Sequence, residues 1–319
     1  MIVTLTMNPS LDQTVELSLP LAPGEVQRAA SSHIQAAGKG VNVARAIDQA
    51  GQEVLAVLPG AANDKLVQSL AADQLPYRAV SIEQALRTNI TITDPDGTTT
   101  KINEPGPQLD EPTIKRITET VLDLSAGAAW LVLAGSLPPG VSPDFYATLC
   151  AAVRGEYGAR APQIAVDTSG APLTRLFAFD TAHLPDLIKP NAEELTELVA
   201  QDSAVGFEQS PGEAAQAANY LVQRGIGAVL ATLGAQGAVL VTGQGAWHAT
   251  HAPVTTRSTV GAGDSALAGY LISDVRGQSA PQRLAHAVAY GSAAVALPGS
   301  TIPSPDHLAG DAVNVTGLF

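Results

Sequence analysis

Cysteine is almost absent: Cys150 stands alone in the chain, so no intrachain disulfide can form. Its surroundings, Tyr146-Ala-Thr-Leu-Cys-Ala-Ala-Val153, are those of a buried helical position, which makes it a core residue. Long apolar runs are missing too. The longest, Ala126 to Ala134, is about half of what a membrane-spanning helix needs, so no membrane partner is expected. The opening Met-Ile-Val-Thr-Leu-Thr lacks the basic start of a secretory signal and reads as a first β-strand, so a cytoplasmic location is expected. Positive charge is scarce: 17 lysines and arginines stand against 30 aspartates and glutamates, a net charge of −13. Polyanions are bound by basic side chains that displace counterions, so no nucleic-acid partner is expected. An anionic small molecule would need a local positive patch. The close histidine pair, His248 and His251, lies in strand-like sequence beside Trp247 and reads as surface or half-buried imidazoles rather than a metal site.

What is present is ordinary globular composition, 45% hydrophobic and 15% charged, too apolar for disorder. With 319 residues, no low-complexity linker and no fixed-period repeat, the chain fits one large α/β domain, 1–319. Short aliphatic runs at Ile2–Thr6, Val54–Leu58, Trp130–Ala134, Ile164–Asp167, Leu187–Lys189 and Ala228–Thr232 read as buried strands. Between them, helical periodicity is expected over Val41–Ala50, Lys65–Ala72, Glu111–Leu124, Pro143–Val153, Ala192–Ala200, Gly212–Arg224, Ala266–Asp274 and Pro281–Ala296. This alternation predicts a mostly parallel sheet with crossover helices. Two segments break it: Asp12–Leu19 with Val26–Ile34, and Thr88–Thr93 with Thr99–Asn103 around Asp94-Pro-Asp-Gly97. Both read as β-hairpins, and together they predict a small β-sheet lid built from about 12–34 and 88–103.

The strongest local signal is Ser258-Thr-Val-Gly-Ala-Gly-Asp-Ser265, followed at once by helix-forming residues. A glycine turn opening a helix aims free N–H groups and the positive end of the helix dipole at whatever lies in front of it. An aspartate beside such an anion hole can accept the proton of a hydroxyl that attacks a phosphoryl group. The same residues also fit a plain strand-to-helix turn with Asp264 as N-cap.

Gly261-Ala-Gly-Asp264 resembles the C-terminal signature of the ribokinase-like (PfkB) carbohydrate kinases, and the resemblance covers essentially the whole chain. It implies a three-layer α/β/α sandwich with ATP and Mg²⁺ as cofactors. Asp264 would be the catalytic base, and the N–H groups around Gly261, Ala262 and Gly263 the anion hole. Ala37-Gly-Lys-Gly-Val-Asn-Val-Ala-Arg45 is similar to the family's first signature, which faces the sugar through Gly38, Lys39 and Asn42. Ala37 departs from it, since the family has glycine there. Lys189-Pro-Asn-Ala-Glu-Glu194 matches the family's Asn-x-x-Glu element, so Asn191 and Glu194 would organise Mg²⁺, through water, and the ATP phosphates; read alone, the stretch is a helix capped by Asn191. Thr232-Leu-Gly-Ala-Gln-Gly237 resembles the nucleotide-side turn. Expected nucleotide contacts are therefore Lys189, Asn191, Thr232, Gly234, Gly237, Thr259, Gly261, Gly263 and, on a later small-residue helix, Ser292. Gly299 with Ser300 resembles a loop that helps bind a monovalent cation in related kinases.

Thr6-Met-Asn-Pro-Ser-Leu-Asp12, Lys101-Ile-Asn-Glu-Pro-Gly-Pro107 and Ala134-Gly-Ser-Leu-Pro-Pro-Gly140 resemble the branch that phosphorylates fructose 1-phosphate or tagatose 6-phosphate. Asp12 would take two sugar hydroxyls. Lys39, Arg87, Lys101 and Arg28 would meet the sugar's phosphate. The resemblance implies fructose 1-phosphate as acceptor. Tagatose 6-phosphate and fructose 6-phosphate are the alternatives, and a non-catalytic sugar-phosphate sensor is the alternative of another class. The lid sheet is a candidate homodimer interface, as in relatives.

Overall fold

A computed structural model describes residues 1–178, 180–199, 206–309 and 312–319. In chain order the first half contains β1 (Ile2–Leu5), β2 (Ser10–Leu17), β3 (Ala29–Ala37), α1 (Lys39–Gln49), β4 (Val54–Pro59), α2 (Lys65–Ala72), β5 (Tyr77–Val80), β6 (Arg87–Thr93), β7 (Thr99–Asn103), α3 (Glu111–Ser125), β8 (Trp130–Ala134) and α4 (Phe145–Tyr157). The second half continues with β9 (Gln163–Asp167), α5 (Ala171–Thr174), β10 (Leu187–Ile188), α6 (Ala192–Val199), α7 (Pro211–Gln223), β11 (Ala228–Thr232), β12 (Ala238–Thr242), β13 (Gly245–His251), α8 (Ala262–Val275), α9 (Ala280–Ala296) and β14 (Val313–Gly317).

Ten strands form one sheet in the order β14-β13-β12-β11-β10-β9-β8-β1-β4-β5. From β5 to β11 every neighbouring pair is parallel, and the β12–β13–β14 edge is antiparallel. Every residue of β1 and β8 is buried, as strands covered on both faces must be. The predicted doubly covered sheet with helices is present. Cys150 is fully buried and its thiol is pushed up to about 12 by burial, which suits an unreactive core residue.

The chain runs from β1 to β4 and β5 on one side, then to β8, β9, β10 and β11 on the other. The order therefore reverses between β1 and β8, and ligands collect beyond the carboxyl ends of parallel strands at such a reversal.

The lid is a separate four-stranded sheet, β3-β2-β6-β7. Both expected hairpins are there, β2 with β3 and β6 with β7, and a parallel pairing of β2 with β6 joins them. That pairing sets Ser10 opposite Arg87 and Asp12 opposite Asn89.

Several boundaries differ from expectation. α8 begins at Ala262, four residues before the predicted Ala266, because Gly261 at φ 77 is already the N-cap. A left-handed residue with no Cβ turns the chain there without strain. α1 likewise starts at Lys39 instead of Val41, and α4 at Phe145 instead of Pro143. Ala200, expected to end α6, lies outside the described residues. The short edge strands β5 and β14 were not expected; their half-exposed residues lack the apolar runs of central strands.

Candidate active site

β1, β9, β10 and β11 deliver their carboxyl ends to one edge of the sheet, and the starts of α1 and α8 meet there. At α1 the backbone comes very close: a Cβ on Gly40 would lie 2.9 Å from Leu5 O, and one on Gly38 would lie 2.8 Å from Thr6 Cγ2. Only glycine lets this helix start against the strand end. Ala37, the departure from the family pattern, is buried at the end of β3 opposite Ser10.

Asp264 sits in the first turn of α8 and is 6% exposed. Asn42 Nδ2 donates to its Oδ2 at 2.8 Å, and Lys39 Nζ lies 3.7 Å from its Oδ1. Burial raises its pKa above the ordinary carboxylate value and the charge of Asp167 adds to this, against the opposing pull of Lys39, Asn42 and Lys189. Such a carboxylate is a better proton acceptor than an exposed one. It shares the first helical turn with Ala262 and Gly263, whose N–H groups have no partner within the helix.

Beside α8 a cleft of about 790 Å³ is lined by Asn191, Thr232, Gly234, Gly237, Thr259, Ala262, Gly263 and Ser292, among others. Most of the expected nucleotide residues thus face one cavity, with Val288, Gly291 and Val295 forming an apolar wall. Asn191 also bridges to Thr232. Lys189 is 3% exposed and is not part of the cleft lining; it lies close to Gly263, where an added Cβ would be 3.1 Å from its Nζ. Asn191 and Glu194 are bonded to each other: Asn191 N donates to Glu194 Oε2 and Glu194 N to Asn191 Oδ1, each at 2.8 Å. They form a reciprocal helix cap, and Glu193 and Glu208, not Glu194, are the acids lining the cleft.

On the lid side, Asp12 Oδ1 accepts from Ser10 Oγ at 2.8 Å and from Asn89 Nδ2 at 3.1 Å. Burial raises the Asp12 pKa, opposed by these hydrogen bonds and by Arg87 and Lys101. Arg87 is partly committed already: Nε and Nη2 donate to Asn8 O at 3.2 and 3.0 Å, and Nη1 to Glu104 O at 3.2 Å. Two of its five N–H groups stay outside these bonds. Lys101 is exposed on β7, and Arg28 is exposed in the connection between β2 and β3.

Sequence reasoning did not single out Asp167. It ends β9, is fully buried, and has Lys39 Nζ 3.1 Å from Oδ1 and Lys189 Nζ 3.2 Å from Oδ2. Burial would raise its pKa, but the two lysines outweigh that and hold it below the usual value. The available signal was an acid closing an apolar strand, Ile164-Ala-Val-Asp167, at the edge where ligands gather. Asn8, Ser10 and Asn89, which shape the Asp12 side, were missed as well; their short polar side chains look like ordinary loop and strand residues.

No helix among the described residues is long and apolar enough to cross a membrane. Comparison with known proteins agrees with the geometry. The chain is 35% identical over 319 residues to 1-phosphofructokinase of Rhodobacter capsulatus, covering 99% of this chain and 96% of that one. It is 32% identical to ATP-dependent 6-phosphofructokinase isozyme 2 of Escherichia coli, with 96% of each chain covered. The crystal structure of phosphofructokinase-2 from Escherichia coli in complex with potassium superposes with a TM-score of 0.86 at 32% identity, over 96% of each chain. A ribokinase structure from Thermotoga maritima, at 18% identity and TM-score 0.72 over 96% of this chain and 97% of that one, shares the fold. Residues 5–307 match the pfkB family carbohydrate kinase model, and the chain belongs to that family of sugar phosphotransferases.

Proposed function

We propose that the protein transfers the γ-phosphoryl group of ATP to the 6-hydroxyl of fructose 1-phosphate, giving fructose 1,6-bisphosphate and ADP. The observation that carries this reading is Asp264: a buried carboxylate with a raised pKa, in the first turn of a helix whose start lines the cleft, and bonded to Asn42 of α1. ATP would occupy the cleft with its base against Val288, Gly291 and Val295 and its phosphates near Gly263. The sugar would lie under the lid, its hydroxyls on Asp12 and Asn42 and its phosphate toward Lys39, Arg87, Lys101 and Arg28. Asp264 takes the proton of the attacking hydroxyl, and the N–H groups of Ala262, Gly263 and Asp264 hold the negative charge that gathers on the transferring group.

Mg²⁺ suits the residues present in a limited way. Among the described residues no three acidic, histidine or cysteine side chains gather as a metal cluster, and Glu194 already gives one oxygen to its cap. That fits an ion held by phosphates and water with one protein carboxylate. Glu194, with Asn191 through water, would be its protein ligands, and the ion would neutralise charge on the phosphates. A monovalent cation would sit at the loop of Gly299 and Ser300, whose Ser300 O accepts from Gln35 of the lid at 2.9 Å. A cytoplasmic location and a homodimer through the exposed lid, which carries Ile34 and Ile102 at 56% and 53% exposure, complete the reading.

The 32% identical 6-phosphofructokinase relative makes fructose 6-phosphate the second acceptor to weigh. An ADP-release assay with Mg·ATP and fructose 1-phosphate, fructose 6-phosphate, tagatose 6-phosphate, fructose and ribose side by side decides between them by kcat/KM. Preference for a 6-phosphate would move the phosphate pocket. Turnover with none would leave a sugar-phosphate sensor. Asp264→Asn should keep both ligands bound while kcat falls by about 10²- to 10⁴-fold, the usual weight of a general base; undiminished turnover would remove Asp264 from this role.

A further inference from the structure

Four charged groups from four segments meet within ion-pair reach at the start of α8. Asp264 comes from α8, Lys39 from α1, Asp167 from the end of β9 and Lys189 from the turn after β10. The two acids and two cations balance, and Glu194 adds a further negative charge that acts on Lys39. The charged residues of α9 that face α8 lie farther along it: His286 is bonded at Gly269 O and Arg283 at Asp274. Lys39 is closer to Asp167, at 3.1 Å, than to Asp264, at 3.7 Å. Asp167 is itself held in place, since its backbone O accepts from Gly135 N at 2.9 Å and the neighbouring Thr168 hydroxyl bonds Gly135 O.

We infer that Asp167 is a positioning residue for phosphoryl transfer: it anchors Lys39 and Lys189 so that neither cation closes onto Asp264, which keeps that carboxylate basic. The inference rests on the reading of Asp264 as the base. A carboxylate locked against an ammonium is stabilised in its charged form and accepts a proton less readily. Without the charge of Asp167, Asp264 becomes the nearest counter-ion for Lys39 and loses a repulsive neighbour as well. Both changes lower its proton affinity. Asp167 also ties the acceptor side, through Lys39, to the phosphate side, through Lys189 beside Gly263.

The test is the pH profile of kcat at saturating ATP and sugar phosphate, with the same substrates throughout so that their own titration is common to every curve. In Asp167→Asn the acidic limb should move to lower pH by about one unit or more, the usual effect of one nearby charge, and the plateau kcat should fall about tenfold because a weaker base remains. KM for the acceptor should change less than kcat. Lys39→Met, which removes the cation, should move the limb the other way, and Lys39→Met with Asp167→Asn should return it toward the parent position. Should Asp167→Asn fail to fold, the doubly substituted Lys39→Met, Asp167→Asn protein decides against Lys39→Met alone: its limb should lie lower, and an equal position overturns the inference. A limb that stays put or rises in Asp167→Asn, or stays put in Lys39→Met, overturns the inference. Turnover retained in Asp264→Asn would instead overturn the reading of the base, so the two failures are distinguishable.

Discussion

Gly40→Ala is a small change with a large geometric demand. A Cβ at this position would overlap Thr6 Oγ1 and stand 2.9 Å from Leu5 O. The hydroxyl can swing aside, since Thr6 Oγ1 is buried without a hydrogen-bond partner. The carbonyl belongs to the β1 backbone, which is paired on both sides by β4 and β8, and cannot. The start of α1 must therefore retreat by about 0.5 Å to reach ordinary carbon–oxygen contact. Overpacking of this kind costs about 1–3 kcal/mol, and the helix propensity gained over glycine returns at most about 1 kcal/mol. A net loss of about 1–2 kcal/mol lowers Tm by about 1.5–3 °C for a chain of this size. Lys39 and Asn42 ride on the same turn and both approach Asp264, so kcat should drop about tenfold, half the logarithmic effect of a 1 Å misplacement. Calorimetry and steady-state kinetics on one preparation read both numbers. A Tm within a degree of the parent together with full kcat would refute the reasoning that the β1–α1 contact sets the position of Lys39 and Asn42 against Asp264.

Two further outcomes follow from the nucleotide side. Gly237 has φ 81, and a Cβ there would run into Ala249 O, so Gly237→Ala should lower stability by a few kcal/mol, combining positive-φ strain with a backbone clash, and should raise KM for ATP more than for the sugar; thermal melts and kinetics at varied ATP check it. Glu194→Gln removes a charge but keeps a group able to bond Asn191 N, so the helix cap should hold stability within about 1 kcal/mol of the parent, while the Mg²⁺ concentration giving half-maximal rate should rise severalfold. An unchanged Mg²⁺ requirement would leave Glu194 a cap alone.

The parallel sheet was legible because its central strands are short apolar runs with no polar alternation, such as Trp130–Ala134, and strands buried on both faces require that composition. The lid was legible for the opposite reason: Thr88–Thr93 alternates, and Asp96-Gly97 marks the reversal. What escaped was long-range. Nothing near position 167 announces that its carboxylate meets lysines 128 and 22 residues away in the chain. In the same way, Arg87 looks like a free phosphate ligand until the fold sets Asn8 O and Glu104 O against it. The early start of α8 was hidden because a glycine-rich run looks like loop, although Gly261 in its left-handed conformation is what launches the helix.

The parallel pairing of β2 with β6 has a consequence for how the polar cluster around Asp12 is assembled. Each lid hairpin can form from its own neighbourhood, but Asp12 and Asn89, 77 residues apart, are brought together only by the seam between them. β2 leaves directly from the end of β1, and the approach to β6 is fixed by Leu86 N, which donates to Asp64 at the head of α2. The two strands are thus anchored to the central sheet at their starts, and their pairing carries the closure entropy of a long intervening loop. The cluster around Asp12 is therefore a property of the seam, and belongs to neither hairpin alone.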